Sequence, residues 1–266
     1  MGKFRVAFIT PTLPGVALVE KITKFRNYNI FKSLMAGILY IISAPSGSGK
    51  STLVNELRSM VPNLDFSVSY TTRTPRGSEQ NGREYYFVSR PEFEKMIAEG
   101  KFLEHAEVFG NYYGTACRFL EEAKNSGKDL LLDIDVQGAA QVRKKVPNAV
   151  SIFVMPPNRE VLERRLRNRS QTDKVDPKVI ERRLENAQKE IVNYSQYGYI
   201  LVNEILDRAV HELEAIVLSE RIRRSGESLT PETRKLIDIA ERCLLANSHA
   251  KVQPVLESFT AGRTNL

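Results

Sequence analysis

Residues 37–60 read GILYIISAPSGSGKSTLVNELRSM, and this stretch decides the fold. It begins with Gly37–Ser43, a short apolar run rich in β-branched residues that is typical of a buried strand. After a turn rich in glycine and serine, Leu53, Val54 and Leu57 recur at helical spacing. The stretch therefore predicts a strand, a glycine-rich turn and a helix, in that order.

The turn itself, Ala44–Ser51 (APSGSGKS), fits the nucleotide-binding P-loop pattern, with alanine in place of the first glycine. Gly47 and Gly49 allow the backbone to curl so that its N–H groups face polyphosphate oxygens, and the following helix adds its positive N-terminal dipole. Lys50 is expected to reach the β- and γ-phosphates, and the Ser51 hydroxyl to ligate Mg²⁺. A chance match in a glycine- and serine-rich loop is the alternative, but the strand and helix around the turn argue against it.

The rest of the chain alternates short apolar segments with amphipathic ones. Strands are predicted over residues 66–70, 85–88, 102–109, 130–135, 149–155 and 199–202, and helices over residues 91–100, 116–126, 158–169, 177–193 and 207–224. This alternation predicts an α/β fold around a mostly parallel sheet. We assign residues 35–222 to the folded domain and residues 223–266 to a C-terminal extension, with one helical piece over 231–246 and a loosely docked or disordered remainder.

The 266 residues include 39 basic and 32 acidic side chains, a net charge of +7, which raises the question of a nucleic-acid partner. Residues 35–222 are neutral, however, because the excess lies in residues 1–34 (net +5) and 223–266 (net +2). We therefore expect no nucleic-acid partner. No apolar run approaches the roughly 20 residues of a membrane span, so we expect no membrane partner either. Two cysteines fit a reducing compartment, and we expect a cytoplasmic protein.

Residues 1–34 resemble a targeting signal only in part. Lys3 and Arg5 precede an apolar run, as in a secretory signal, but two prolines interrupt that run and no clear cleavage site follows. A single serine and few arginines also fit a mitochondrial transit peptide poorly. We favour translation that starts at Met35, with residues 1–34 as an extension outside the folded domain.

Five further segments carry a resemblance to a known family. They are Phe66–Arg76 (FSVSYTTRTPR), Asn81–Val88 (NGREYYFV), Phe102–Thr115 (FLEHAEVFGNYYGT), Leu132–Gly138 (LDIDVQG) and Leu162–Arg169 (LERRLRNR). With the P-loop, these segments resemble the guanylate kinases, which transfer the γ-phosphoryl group of ATP to GMP and release ADP and GDP. The resemblance implies a P-loop NTPase-type sheet flanked by helices, a small GMP-binding lobe at about residues 67–118, and a helical lid at about residues 156–190.

For GMP, the resemblance implies a phosphate site and a base pocket. Two guanidinium forks suit a phosphate well, although a solvated basic turn is the alternative for this loop alone. A carboxylate accepts hydrogen bonds from guanine N1 and N2, which adenine cannot supply, so base selectivity should be sharp. An acid in an alternating strand is otherwise more often merely exposed. The residues implied for the phosphate are Arg73, Arg76, Tyr85 and Tyr113, and those for the base are Glu104, Asp135, Ser69 and Thr115.

For ATP and its Mg²⁺ cofactor, the resemblance implies Asp133 as a metal-supporting acid beside Ser51, although a strand-ending Asp is also a frequent helix cap or salt-bridge partner. Arg165 and Arg169 lie four apart on one helical face, as lid arginines do, and Arg183 matches another phosphate-contacting arginine. An RNA-binding basic helix is the alternative here, weakened by interspersed acids. The ATP site is implied to comprise Ala44, Pro45, Ser46, Gly47, Ser48, Gly49, Lys50, Ser51 and Asn203, the last at the adenine edge.

Three functions compete on these observations. A catalytic phosphotransferase is favoured by the intact P-loop and the lid arginines. A binding module that has lost catalysis would be expected beside an additional partner domain, for which the chain is short. A nucleic-acid-binding ATPase would explain the positive net charge, but residues 35–222 are neutral, which removes the main support for it. We expect ATP and GMP as the partners and leave the oligomeric state open.

Overall fold

The centre of the domain is a five-stranded parallel sheet, seen in a computed structural model that describes residues 37–173, 177–226 and 228–260. Its strands are β1 Leu39–Ser43, β2 Leu64–Phe66, β7 Asp129–Asp133, β8 Val150–Met155 and β9 Tyr199–Val202. Their order is β2-β7-β1-β8-β9 and every pairing is parallel, where the sequence predicts a mostly parallel sheet. The predicted extension over residues 1–34 lies outside the described residues.

Parallel pairing requires crossover connections, and helices cover both faces of this sheet. Alternate residues of β1 face opposite layers: Leu39 and Ile41 join one apolar cluster, Tyr40 and Ile42 the other. Burial on both faces explains why this strand reads as a continuous apolar run. The helices are α1 Lys50–Met60, α2 Arg90–Ala98, α3 Cys117–Ser126, α4 Val136–Lys145, α5 Arg159–Asp173, α6 Pro177–Ile191, α7 Leu206–Ser225, α8 Pro231–Glu241 and α9 His249–Thr260.

A second, four-stranded sheet lies within the predicted GMP-binding lobe, in the order β4-β3-β6-β5. Its strands are β3 Tyr70–Thr71, β4 Tyr86–Phe87, β5 Phe102–Val108 and β6 Asn111–Ala116. The prediction of one strand over residues 66–70 is wrong, because the chain leaves the parallel sheet after β2 and enters the second sheet at β3. Strand β6 carried no prediction; it pairs antiparallel with β5, so that Glu104 lies opposite Thr115.

Residues 249–260 pack onto the domain as α9, and the prediction of a loosely docked or disordered remainder is wrong for them. The helical piece predicted over residues 231–246 is observed as α8, Pro231–Glu241. Val252, Val255 and Phe259 recur along one face of α9 and are buried in the core layer that also contains α5 and α6. The Ser258 hydroxyl accepts a hydrogen bond from the Arg159 backbone N–H at the start of α5 (3.0 Å). The segment packs because α9 has this apolar face. The prediction failed because the average composition of the segment is polar and does not reveal the face.

Among the described residues, no helix combines the length and the apolar content needed to cross a membrane.

Candidate active site

The turn Ala44–Ser51 leaves the carboxyl end of β1 and leads directly into α1. Gly47 (φ +91°) and Gly49 (φ +86°) adopt left-handed backbone conformations, as the motif requires. Gly49 precedes α1, and no side chain of the described residues caps that helix. The first N–H groups of α1 therefore lack a side-chain acceptor, which leaves them available to an anion.

Lys50 lies at the start of α1 and contacts the strand beside it. Its Nζ is 2.5 Å from Asp133 Oδ1 and donates to the Ile134 carbonyl at 3.2 Å. Burial by itself lowers the pKa of Lys50, but the Asp133 carboxylate outweighs burial and the pKa is raised above its ordinary value. The ammonium therefore stays charged. Asp133 ends β7 next to β1 and is an ion-pair partner here; its role at a metal ion stays a prediction.

Asn203 and Arg165 form hydrogen bonds that hold the backbone of the turn. The buried Asn203 side chain donates through Nδ2 to the Ser48 carbonyl at 2.8 Å. Arg165, on α5, donates to the Asn203 carbonyl at 2.9 Å and to the Ser48 carbonyl at 3.4 Å. The Asn203 amide group is thus committed to the P-loop backbone, and its contact with adenine stays a prediction. A methyl group at Gly49 would collide with this amide, so the close approach also requires glycine.

Arg169, the other predicted lid arginine, and Arg183, the predicted phosphate-contacting arginine, are less fully defined. Arg183 lies half-buried on α6. The side chain of Arg169 lies outside the described residues, although its backbone belongs to α5. The structure therefore places one lid arginine, Arg165, against the P-loop.

Glu104, the predicted base-recognition residue, is buried on β5 and 3% exposed. Burial raises the pKa of Glu104 to about 7; Thr115 opposes the shift and the charge of Asp135 adds to it. Asp135 precedes α4 and accepts a hydrogen bond from the Gly138 backbone N–H at 2.8 Å. Glu104, Asp135 and Thr115 therefore lie close together where the first turn of α4 faces the β5–β6 ladder. Ser69 lies half-buried just before β3.

Residues of α4 that the sequence analysis did not single out hold Glu104 in place. A methyl group at Gly138 would collide with the Glu104 carboxylate, so glycine lets that side chain approach the helix. The Gln141 amide exchanges two hydrogen bonds with the His105 backbone, donating at 2.6 Å and accepting at 3.2 Å. Because β5 is an edge strand of its sheet, Gln141 occupies backbone groups that would otherwise lack a partner strand. The motif LDIDVQG contained Gly138, but only the packing reveals its role.

Arg73, predicted at the GMP phosphate, is 9% exposed and clamped by an acid that sequence reasoning missed. Both Glu79 carboxylate oxygens accept from the Arg73 guanidinium at 3.0 Å, and one also accepts from the Arg76 backbone N–H at 2.8 Å. Burial alone would raise the pKa of Glu79, but the hydrogen bonds from Arg73 and from the Arg76 backbone, together with the charges of both arginines, outweigh burial and the pKa is lowered. The Arg76 side chain is exposed. Spacing gave no signal that Glu79 closes the loop in this way.

Tyr85 links the two phosphate regions. Its ring lies 5.9 Å from that of Tyr113, and the Arg73 guanidinium lies 5.3 Å from its centroid. Burial raises the pKa of Tyr85, and the Asp133 carboxylate adds to the shift, while the charges of Lys50 and Arg73 oppose it. Tyr85, one of the residues predicted for the GMP phosphate, thus lies close to the P-loop lysine and its acid.

Glu190 on α6 is a further acid at the site, and the sequence predicted no role for it. Burial raises its pKa to about 7, with a further contribution from Asp135, and both Lys50 and the Ser46 backbone oppose the shift. A cleft of about 310 Å³ between α6 and the β5–β6 hairpin is bordered by Glu190 and Asp135. The cleft therefore adjoins both the base pocket and the P-loop.

Ser51 and Asp133 carry oxygen atoms that could bind Mg²⁺. Mg²⁺ is commonly held by one or two protein oxygens, with substrate phosphates and water completing its shell. One hydroxyl and one carboxylate at the mouth of the P-loop fit that donor set. Within the described residues, no group of three or more His, Cys, Asp and Glu side chains could hold a metal by itself.

Comparison with known proteins adds independent findings. The family model described as guanylate kinase matches residues 37–220. A guanylate kinase of Koribacter versatilis is 60% identical over 225 residues, which cover 85% of this chain and 97% of that protein. One from Escherichia coli K12 is 48% identical over 193 residues, covering 72% and 92%. The crystal structure of guanylate kinase from Anaplasma phagocytophilum aligns with a TM-score of 0.59 and 34% identity, covering 78% of this chain and 97% of that one.

Proposed function

The chain belongs to the guanylate kinase family, and from this premise we propose a role in the reaction for each residue of the site. The enzyme transfers the γ-phosphoryl group of ATP to GMP and releases ADP and GDP. Phosphoryl transfer asks a protein mainly to align two anions and to stabilise the charge on the group between them. No strong general base is needed, because the attacking GMP phosphate oxygen is already an anion at neutral pH.

The P-loop binds the triphosphate of ATP through backbone N–H groups and Lys50. In the structure Asp133 pairs with Lys50, which keeps the ammonium charged. When ATP is bound, the Lys50 ammonium faces the β- and γ-phosphates, and Asn203 holds the loop backbone from behind. Arg165, Arg169 and Arg183 supply further positive charge when the lid helices close over the phosphates.

Ser51 and Asp133 are the residues that would hold Mg²⁺. When bound, the ion supplies positive charge to the phosphate oxygens and so lowers the cost of bringing two anions together. The Ser51 hydroxyl and the Asp133 carboxylate would orient it at the start of α1. The support for this assignment is the chemistry of the two donors and their position beside Lys50.

Glu104 recognises guanine. Its ionised carboxylate accepts hydrogen bonds from N1 and N2 of the base, with Asp135, Ser69 and Thr115 completing the pocket. A buried carboxyl beside a second acid is costly to ionise, so the two guanine donors stabilise the form that the empty pocket disfavours. Arg73, Arg76, Tyr85 and Tyr113 hold the GMP phosphate. The observation that carries the proposal is the position of Tyr85 between Arg73 and the Lys50–Asp133 pair, where two phosphates must meet.

We place this reaction in the cytoplasm, with the small molecules ATP and GMP as partners and neither nucleic acid nor membrane. The support is the balance of acids and bases in residues 35–222 and the presence of only two cysteines, both free.

A coupled ADP-release assay with GMP, AMP, dTMP, UMP and no acceptor tests the proposed specificity. We expect turnover with GMP alone, dependent on added Mg²⁺. Equal rates with AMP and GMP would contradict the role of Glu104, and ADP release without an acceptor would indicate an ATPase instead.

A further inference from the structure

The tip of the β5–β6 hairpin carries an unusual residue. Phe109 (φ +52°) and Gly110 (φ +81°) are the two loop residues, and positive φ at both is the pattern of a type I′ turn. The first position of such a turn favours Asn, Asp or Gly, because a bulky side chain is strained there. Among the described residues, the other non-glycine residue with positive φ is Asn63, a type that tolerates it. A phenylalanine at this position therefore needs a reason.

Core packing does not provide that reason. The Phe109 side chain is 49% exposed and belongs to neither apolar cluster. Its contact is with α6 instead: the Arg182 guanidinium carbon lies 5.3 Å from the centre of the Phe109 ring, within the range of a cation–π interaction. The strained residue thus reaches across from the GMP-binding lobe to the helix that carries Arg183.

The contact borders the reaction cleft. Phe109 and Arg182 line the same cleft of about 310 Å³ as Asp135 and Glu190, which adjoin the base pocket and the P-loop. Arg182 also precedes Arg183 directly in α6, so a contact that holds one backbone holds the other. Of all the contacts described, this one ties the tip of the GMP-binding lobe to α6.

We propose that Phe109 and Arg182 form a latch that holds the GMP-binding lobe against α6 and so positions Arg183 for phosphoryl transfer. The inference rests on the proposed function of the GMP-binding lobe and of the helical lid that contains α6. Phe109 is a positioning residue, since it acts through Arg182 and touches neither nucleotide in the proposed arrangement. The strained turn is retained because the Phe109 ring contacts Arg182, a contact that the residues preferred in this turn, Asn, Asp or Gly, would not make.

The test replaces Phe109 with the residue that its turn prefers. Phe109→Asn creates the favoured type I′ sequence, so the melting temperature should equal or exceed that of the wild type. The value of kcat/KM for GMP should nevertheless fall about two- to fivefold, as expected for loss of one exposed cation–π contact. KM for ATP should stay unchanged, and Phe109→Tyr should retain wild-type kinetics because its ring also accepts a cation.

A double-mutant cycle completes the test. Arg182→Gln should reproduce the loss seen in Phe109→Asn, and the double variant should lose no more than either single one. Arg167→Gln, which removes an exposed arginine paired with Glu163 on α5, is the matched control and should leave kcat/KM unchanged. Losses that multiply in the double variant, or a Phe109→Asn protein with a lower melting temperature and normal kinetics, would overturn the latch. Wild-type turnover of GMP in the same assay tests the proposed function separately.

Discussion

The turn Ala44–Ser51 and the pocket around Glu104 receive two nucleotides by different means. The turn presents backbone N–H groups from one continuous stretch, and two glycines with positive φ set its shape. The pocket collects Glu104 from β5, Thr115 from β6 and Asp135 from the start of α4. A site made of local backbone depends on its own sequence, whereas a site assembled from separate elements depends on the packing that brings them together.

Replacing the single essential charge of the turn should have the largest effect. Lys50→Ala should lower kcat roughly 100- to 1000-fold, because a preorganised charge beside the transferring group is lost. The fold should remain intact, since Asp133 is about one-third exposed and water can solvate it. Steady-state kinetics and a thermal melt measure the two effects, with Lys144→Ala on the exposed side of α4 as the control. An unchanged kcat would remove the P-loop from the mechanism.

Replacing the charge of the pocket should change selectivity more than turnover of ATP. Glu104→Gln weakens two charge-assisted hydrogen bonds to guanine, so kcat/KM for GMP should fall about 100-fold while KM for ATP changes little. Initial rates with GMP and AMP, each at several ATP concentrations, separate these effects. Equal losses of kcat/KM for GMP and for ATP would show that the pocket and the turn are not independent.

The same variant has a characteristic pH dependence. The pKa of Glu104 is about 7 in the folded protein against an ordinary value of 4.5, so ionisation costs roughly 3 kcal/mol. That cost is absent below pH 4.5 and complete above pH 7, so Glu104→Gln should melt at a higher temperature than the wild type only as the pH rises through this window. In the wild type, kcat/KM for GMP should rise between pH 6 and 8 by more than it does in the variant. Parallel pH profiles for the two proteins would contradict this.

The smallest of these effects tests the packing behind the pocket. Gly138→Ala places a methyl group against the Glu104 carboxylate, so KM for GMP should rise about tenfold with KM for ATP unchanged. The melting temperature should stay close to that of the wild type, because alanine favours the helix by about 1 kcal/mol and offsets the displacement. Gly198→Ala is the matched control, since its methyl group would meet only Ser151 atoms, at 3.6 Å and beyond. If both variants leave KM for GMP unchanged, the position of Glu104 does not depend on α4.

Prediction from sequence worked best where structure is local. Four of the five parallel strands, β1, β7, β8 and β9, were visible as apolar runs because they are buried, whereas the short strand β2 (LDF) was missed. The turn was visible because its glycines are required by φ. Strand β6 escaped because NYYGTA lacks a clear alternation and becomes a strand by pairing with β3 and β5. Helix α9 escaped because Pro254 lies inside it, although Val252, Val255 and Phe259 recur at helical spacing.

The amino-acid sequence by itself determined the α/β alternation, the P-loop and the residue types available to bind two phosphates and one purine. These follow from periodicity and backbone preference within a few residues of each other. Only the tertiary structure decided that Gly138 makes room for Glu104 and that Phe109 reaches Arg182. Such contacts depend on distances between elements, and burial between those elements also moves the pKa of Glu104 to about 7. Spacing along a chain carries no information about either.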